Sequence, residues 1–223
     1  MPTQRRLLAN LAVAALGAAS APAFALTYRG LQASGTDATS FTFNGYDVGT
    51  ASSDRIVIVI VWTQAGSNIP VSVTINGNAA TAIVSVGVAD SRGLSAYFLN
   101  VPSGTTADVV ISGDGATNFT RGAAGVYTIT GTTQTTYEER SGANPNSQTA
   151  ATSVTTTAVT APTGGVAIAA SWLGSATFAT TWAQSSGSGT TDLTGQVLAE
   201  TLSGSLYHTT DTASQAFTAS GIS

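Results

Sequence analysis

The aliphatic run at Asp54–Thr63 limits the fold of this chain more than any other feature. It reads Asp-Arg-Ile-Val-Ile-Val-Ile-Val-Trp-Thr and is flanked by turn-forming residues. β-branched side chains lose rotamer freedom in a helix and pack well on a pleated sheet, so the run is predicted to be a strand. Because neighbouring positions are all apolar, we expect a central strand that is buried on both faces, or on one face beneath a partner.

The same rhythm of short strands and polar turns continues along the chain after residue 25. Turns rich in Gly, Ser, Asn and Asp separate the apolar segments, and no stretch of ten residues keeps a helical period. The turn Asn76-Gly77-Asn78 predicts a hairpin between Val71–Ile75 and Ala79–Gly87. Other predicted strands are Thr39–Gly45, Gly93–Asn100, Ala107–Ser112, Arg121–Gly131, Ser153–Thr160, Gly164–Trp172, Phe178–Gln184, Asp192–Thr201, Ser205–Thr210 and Ala216–Ser220.

This pattern predicts an all-β fold. The turn spacing is typical of an antiparallel β-sandwich, jelly-roll-like, with about a dozen short strands, rather than of alternating strands and helices. The length of 223 residues and the 43% hydrophobic content favour a single sandwich domain over residues 26–223. Residues 132–150 interrupt the strands and are predicted to form a long polar loop.

The composition excludes several classes of function. Charged residues make up 8% of the chain, the seven basic residues are all Arg, and the net charge is −4. Nucleic-acid binding needs clustered basic residues, so no nucleic-acid partner is expected. With no Cys and the single histidine His208, the chain lacks the residues for a disulfide, a Cys-zinc site or a multi-His metal site. We therefore predict no catalytic residue, no cofactor and no metal.

Residues 1–25 differ from the rest of the chain. Arg5 and Arg6 precede an apolar stretch from Leu7 to Ala19, which is too short to span a bilayer, and Ala23 and Ala25 fit the small-residue rule for cleavage. The segment is predicted to be a secretory signal peptide. The alternative is a retained arm that anchors the chain on a neighbouring subunit, because its exposed apolar side chains would need cover. The side chains of that arm would be Leu7, Leu8, Leu11, Val13 and Leu16.

Two places are candidates for contact with a partner or a glycan. Trp182 lies among polar residues and is the best candidate for an exposed aromatic side chain, whereas Trp62 and Trp172 end aliphatic runs and are expected in the core. Glu138, Glu139 and Arg140 carry the densest charge of the chain within the predicted long loop. The two glutamates are adjacent, so they make a poor pair of carboxylates for cleaving a glycosidic bond.

His208 is the one residue that invites a catalytic interpretation. Asp211 follows three positions later and is the acid considered as its partner in a general-base pair. The chain has no Gly-x-Ser-x-Gly nucleophile turn, so we expect His208 to be a partly exposed surface residue. Asp114 and Asn118 lack the ligand spacing of a calcium loop and are expected to form a plain turn.

Several strand-and-turn phrases resemble a group of β-sandwich proteins that tailed bacteriophages and related particles carry on their virions. That resemblance implies a capsid decoration, a head spike or a tail accessory, with no catalytic residues. The phrases are Leu26–Gly30 (LTYRG), Ser40–Val61 (SFTFNGYDVGTASSDRIVIVIV), Ser72–Thr81 (SVTINGNAAT), Val101–Ser112 (VPSGTTADVVIS), Gly125–Gly131 (GVYTITG) and Ala161–Ser171 (APTGGVAIAAS).

The expected function is therefore a non-enzymatic structural protein of a tailed phage or phage-like particle. Its partners would be other capsid or tail proteins, further copies of itself in a homo-oligomer, and host cell-surface carbohydrate. The alternative is an exported bacterial surface adhesin or carbohydrate-binding module, located on or outside the cell, whose signal peptide is removed. A hydrolase is a third and weaker interpretation, because one histidine and few acids fill its required roles poorly.

Overall fold

The structure is a computed structural model with side chains. It describes residues 24–65, 72–88, 92–113, 115, 119–132, 153–155, 158–160, 165–173, 181–199, 202–210 and 214–220. Secondary structure in these ranges consists of strands, bridges and turns, with no helix. Within the same ranges, no helix has the length and apolar character needed to cross a membrane.

Seventeen strands are formed by the described residues. In the first half they are β1 (Ala25–Ser34), β2 (Ser40–Asp47), β3 (Ile56–Ala65), β4 (Ser72–Ile75), β5 (Asn78–Ala79), β6 (Thr81–Val88), β7 (Arg92–Asn100), β8 (Thr106–Ser112) and β9 (Phe119–Thr130). In the second half they are β10 (Ser153–Thr155), β11 (Val159–Thr160), β12 (Ala167–Leu173), β13 (Thr181–Gln184), β14 (Thr190–Ala199), β15 (Leu202–Thr209), β16 (Ser214–Gln215) and β17 (Phe217–Ser220).

The first half forms a sandwich of two antiparallel sheets. A five-stranded sheet has the order β1-β9-β3-β7-β6, and a four-stranded sheet has the order β2-β8-β4-β5. Their facing sides enclose one apolar core, which includes Phe41, Phe43, Tyr46, Val48, Val57, Val59, Val61, Val73, Ile75, Tyr97, Val101, Val109, Ile111, Phe119 and Val126. The predicted all-β antiparallel sandwich is thus confirmed.

Strand β3 is buried on both faces, as the aliphatic run predicts. Its valines Val57, Val59 and Val61 belong to the core of the first sandwich. Its isoleucines and Trp62 belong to a second core on the opposite face of the five-stranded sheet. Because side chains alternate along a strand, the alternation of Ile and Val sends the two residue types into different cores. The run thereby places one strand at the centre of a multilayer structure.

A third sheet, β12-β15-β14, covers the outer face of the five-stranded sheet. Leu193 and Leu206 from this sheet pack against Trp62 and Tyr127, and the indole nitrogen of Trp62 donates a hydrogen bond to the carbonyl of Ser171 at 2.9 Å. The other face of the third sheet packs on a fourth, β10-β17-β13, through a small core of Ala167, Ala169, Tyr207, Phe217 and Trp182. The sheets therefore stack in more layers than the two of a simple sandwich.

The predicted hairpin is correct at its turn and wrong in its second strand. Asn76 and Gly77 both have positive φ, 50° and 76°, which suits the two-residue turn that this pair of residues favours. The returning strand β5 pairs with β4 over two residue pairs only, Thr74 with Ala79 and Ile75 with Asn78. The chain then crosses at Ala80, and β6 pairs with β7 in the five-stranded sheet.

Other strand boundaries differ in the second half. The predicted strand Ser153–Thr160 is divided into β10 and β11, which pair with different partners, β17 and β16. The ten-residue strand β1 is not among the predicted strands, although nine of its residues pair with β9 on either side of a register shift between Tyr28 and Gly30. Its side chains alternate less clearly between apolar and polar types than those of β2, so periodicity alone does not mark it.

Candidate functional site

The candidate site lies on β15, where the third sheet meets the five-stranded sheet. His208 pairs in register with Thr190 of β14 and Ile168 of β12, so these three residues share one face of the third sheet. Ile168 packs in the second core, against the five-stranded sheet. The side chain of His208 is therefore carried on the inner face of the sheet, close to its end.

A β-bulge on β14 supplies the partner of His208. Thr191 pairs with Tyr207 and Leu193 pairs with Leu206, so Asp192 has no partner residue of its own on β15. A bulge inserts one residue and turns side chains that would otherwise alternate. Here Leu193 packs in the second core, while Asp192 contacts His208 and Tyr127. Both consecutive side chains therefore lie on the inner face of the third sheet.

The contacts of Asp192 form a short polar network between two sheets. Its Oδ2 lies 2.6 Å from Nδ1 of His208 and accepts a hydrogen bond of 2.7 Å from the hydroxyl of Tyr127 on β9. The side chain of Asp192 is 6% exposed and that of His208 is 19% exposed. We call these three residues the His208 network. A carboxylate this buried requires such partners, because an unpaired charge inside a protein is costly.

The phenols around Asp192 are held in their neutral form. Burial raises the pKa of Tyr127, and the hydrogen bond to the Asp192 carboxylate raises it further. Burial and then the charge of Asp192 raise the pKa of Tyr28 to about 12. The rings of Tyr28 and Tyr127 are 5.1 Å apart between centroids. Tyr127 is therefore a permanent hydrogen-bond donor to Asp192 at neutral pH.

A polar pocket of about 220 Å³ opens beside His208. Its walls come from the end of β15 and the segment that leads into β14, namely Ser188, Gly189, Thr190, His208, Thr209 and Thr210. Thr209 donates a hydrogen bond of 2.8 Å to the carbonyl of Ser188, which ties the two walls together. A Cβ atom at Gly189 would collide with the carbonyl oxygen of His208 and with the hydroxyl of Tyr207, so only glycine fits there.

The chemistry open to this site follows from the orientation of the imidazole. A carboxylate at Nδ1 favours the tautomer in which Nδ1–H donates to Asp192 and Nε2 is an acceptor. A nucleophile–base arrangement needs a hydroxyl in hydrogen-bond contact with Nε2, and among the described residues no such contact exists. The same residues contain no group of three potential metal ligands. The arrangement can bind a hydrogen-bond donor at Nε2.

A second buried polar cluster lies at one end of the first sandwich. Arg55 is fully buried, and the five N–H groups of its guanidinium make six contacts of 2.7–3.2 Å, all to main-chain carbonyls, with one N–H shared between two of them. The carbonyls belong to Val48, Gly49, Thr50, Val101, Ser103 and Gly104, and we call this cluster the Arg55 cage. Burial, and then the neighbouring charge of Arg29, lower the pKa of Arg55. The cage has no donor left for a ligand.

The structure changes the interpretation of His208. Asp192 is a partner of His208, and Asp211 lies outside the described residues. The ring is partly buried between sheets, and its network reaches Tyr127. A difference of sixteen positions between Asp192 and His208 carries no recognisable motif, and a bulge cannot be read from periodicity, so the sequence offered no signal for this pairing.

The other predicted contact residues are placed as follows. Trp182 lies on β13, is partly buried, and stacks on Tyr207 with ring centroids 5.9 Å apart, so its role as a contact aromatic stays a prediction. Trp62 is fully buried, as expected. Glu138, Glu139, Arg140 and Asp114 lie outside the described residues, as do the arm residues Leu7, Leu8, Leu11, Val13 and Leu16.

Comparison with known proteins adds no relative. No family model, no curated protein and no solved structure matches this chain.

Proposed function

We propose that the protein is a non-enzymatic structural subunit of a tailed phage or phage-like particle, either a capsid decoration, a spike or a tail-associated protein. In this role it binds neighbouring subunits, including further copies of itself. The observation that carries the proposal is the Arg55 cage, because it joins two of the sequence phrases that resemble virion proteins. The two segments are therefore joined to each other in the fold.

The cage is assembled almost entirely from the resembling phrases. Arg55 and its acceptors Val48, Gly49 and Thr50 lie in the phrase Ser40–Val61. The remaining acceptors begin the phrase Val101–Ser112. The cage is reinforced by the amide of Val101, which donates to the carbonyl of Arg55 at 2.9 Å. A buried charge whose hydrogen bonds are all used holds the two loops together and makes this end of the sandwich rigid.

The composition supports assembly rather than catalysis. Charged residues are 8% of the chain, and the chain has no Cys. Surfaces of Thr, Ser and Gly can be buried against another subunit without leaving unpaired charges at the interface. The stability of such a subunit must come from packing and hydrogen bonds, since disulfides are excluded. The stacked sheets with β3 at the centre provide that packing.

The test is the location of the protein in its native source. Particles released from that source are separated on a density gradient, and the protein is followed by mass spectrometry and by gold-labelled antibody in the electron microscope. A particle subunit bands with the particles and labels their surface. Recovery in the cell-envelope or medium fraction, with unlabelled particles, would refute the proposal.

A second candidate, an exported surface adhesin or carbohydrate-binding module, is favoured by one observation. Strand β1 begins at Ala25, where the signal-like segment ends, so cleavage after Ala25 would leave the paired strand from Leu26 onward in place. The intact mass of the native protein separates the two candidates. A chain that starts at Leu26 indicates export and cleavage, whereas a chain that retains the apolar segment supports the particle subunit.

A further inference from the structure

One acceptor atom in the buried polar clusters is left without a partner. Nδ1 of His208 is bound to Asp192, and Nε2 has no hydrogen-bond partner among the described residues. A neutral imidazole needs a donor at its second nitrogen to complete its hydrogen bonds. The side chain is 19% exposed and is held by Asp192, so Nε2 is reached from solvent in one fixed orientation. His208 is among the residues that line the polar pocket.

The residues that line the pocket indicate which kind of ligand could donate a hydrogen bond to Nε2 of His208. Its side chains other than His208 are hydroxyls, contributed by Ser188, Thr190, Thr209 and Thr210. The described residues that line the pocket include neither an Arg nor an acidic side chain, so they offer no opposite charge to an ammonium group and only the imidazole of His208 to a phosphate or a carboxylate. The same described residues include no large aliphatic side chain, so they do not match an apolar ligand. The lining fits a neutral molecule with several hydroxyl groups.

The size of the pocket limits the ligand to one small unit. Its volume of about 220 Å³ is below the roughly 300–1,000 Å³ of pockets that take drug-sized ligands. A single sugar ring is therefore the largest polyhydroxyl unit we expect to enter. The pocket is open to solvent on one side, so the remainder of a glycan chain can extend away from the protein.

We infer that this pocket binds one pyranose unit of a neutral glycan, with a ring hydroxyl donating a hydrogen bond to Nε2 of His208. Thr190 and Thr210 supply further hydroxyl partners. Asp192 and Tyr127 are positioning residues, because they fix the tautomer and the plane of the imidazole without lining the pocket. Binding at this pocket does not depend on whether the protein is a particle subunit or an exported protein.

The single histidine provides the experiment. Tag-free protein labelled with ¹³C at the imidazole gives one histidine signal in the NMR spectrum, because His208 is the only histidine of the chain. The protein is titrated with methyl pyranosides of glucose, galactose, mannose and N-acetylglucosamine, at a pH above the measured titration of that signal. We expect at least one pyranoside to shift the signal in a saturable manner, with a dissociation constant on the order of 1 mM.

Two controls identify the ligand class. Glycerol shares the vicinal hydroxyl groups but not the ring, and equal shifts with glycerol would overturn the assignment to a sugar. Inorganic phosphate tests for an anion site, and saturable shifts with phosphate alone would also overturn it. If none of the pyranosides, including short oligosaccharides of each, shifts the His208 signal at tens of millimolar, the pocket is not a glycan site.

Variants then locate the binding. Thr190→Val removes one hydroxyl from the pocket and is expected to weaken binding about tenfold, while Thr42→Val, an exposed strand threonine on β2, leaves it unchanged. Asp192→Asn frees the imidazole and is expected to weaken binding to a similar degree with a changed tautomer signal. Equal affinity in Thr190→Val and Thr42→Val would place the ligand elsewhere and refute the site.

Discussion

The Arg55 cage and the His208 network are both buried polar clusters, and they differ in whether all their hydrogen-bonding groups have partners within the protein. The guanidinium of Arg55 places all its hydrogen bonds on six carbonyls of its own chain. The imidazole of His208 uses one nitrogen internally, and its other nitrogen has no partner among the described residues. The first cluster is closed, whereas the second borders a pocket of about 220 Å³.

The comparison teaches that burial of a polar group is not itself a sign of function. A fully satisfied cluster contributes to stability and specificity of the fold, since every donor has an acceptor and removal leaves orphaned groups. A cluster with an unused, oriented acceptor beside a pocket contributes less to stability and remains able to bind. Variants of the Arg55 cage are therefore expected to lose mainly stability. Variants of the His208 network are expected to lose mainly ligand binding.

The largest effect is expected from the loss of Arg55. Arg55→Met removes a fully buried guanidinium from six main-chain carbonyls, of which those of Val48 and Val101 belong to buried residues, and we expect the free energy of unfolding to fall by about 3–4 kcal/mol. Arg55→Lys keeps the charge but its compact ammonium cannot reach both loops at once, so we expect a loss of about 2 kcal/mol. Urea denaturation followed by tryptophan fluorescence measures both values.

Arg29→Met is the matched control for the cage. Arg29 lies beside the cage, and its charge lowers the pKa of Arg55, while its Nε donates one hydrogen bond of 2.7 Å to Thr128. Removing it loses that bond and also removes a like charge, so we expect a change below about 1 kcal/mol. If Arg29→Met and Arg55→Met lowered the free energy of unfolding equally, the cage would contribute no more to stability than one ordinary hydrogen bond.

The sequence predicts the cage only in part. The flanking strands and turns are readable, because β2, β3, β7 and β8 follow clear apolar patterns and the turns carry Gly, Pro and Asp. The sequence does not predict which groups the Arg55 side chain binds, because its acceptors are main-chain carbonyls that any residue could supply. Likewise, the crossing at Ala80 and the bulge at Asp192 depend on which sheets pack together, which periodicity does not encode.

A moderate effect is expected at the contact between Tyr127 and Asp192. Tyr127→Phe removes the hydroxyl that donates to the buried carboxylate at 2.7 Å, and we expect the free energy of unfolding to fall by about 1–2 kcal/mol. Asp192→Asn removes the charge from the same contact, and the double variant should lose less than the sum of the single losses. Strictly additive losses would show that the two side chains do not act as one network.

A pH-dependent effect is expected next to the cage, at Asp54. The hydroxyl of Ser52, and then the amide of Gly131 at 2.6 Å, hold the pKa of Asp54 below its usual value. A lowered pKa in the folded state contributes stability above the unfolded value of about 4, and that contribution disappears as the pH falls through the folded value. Asp54→Asn should therefore have a flatter acid limb of stability against pH than the parent. Parallel acid limbs would contradict this assignment.

The smallest effect on stability is expected from His208→Gln, which tests the comparison most directly. Asp192 keeps its hydrogen bond from Tyr127 in this variant, and the glutamine amide can replace part of the contact of Nδ1. We expect a loss of about 1 kcal/mol or less in the free energy of unfolding, because one hydrogen bond to a charged group is weakened and no cavity forms in an apolar core. Pyranoside binding, followed through the amide signals of Thr190 and Thr209, should fall at least tenfold. A stability loss as large as that of Arg55→Met, with binding retained, would make the His208 network a second closed structural cluster and remove the distinction between the two.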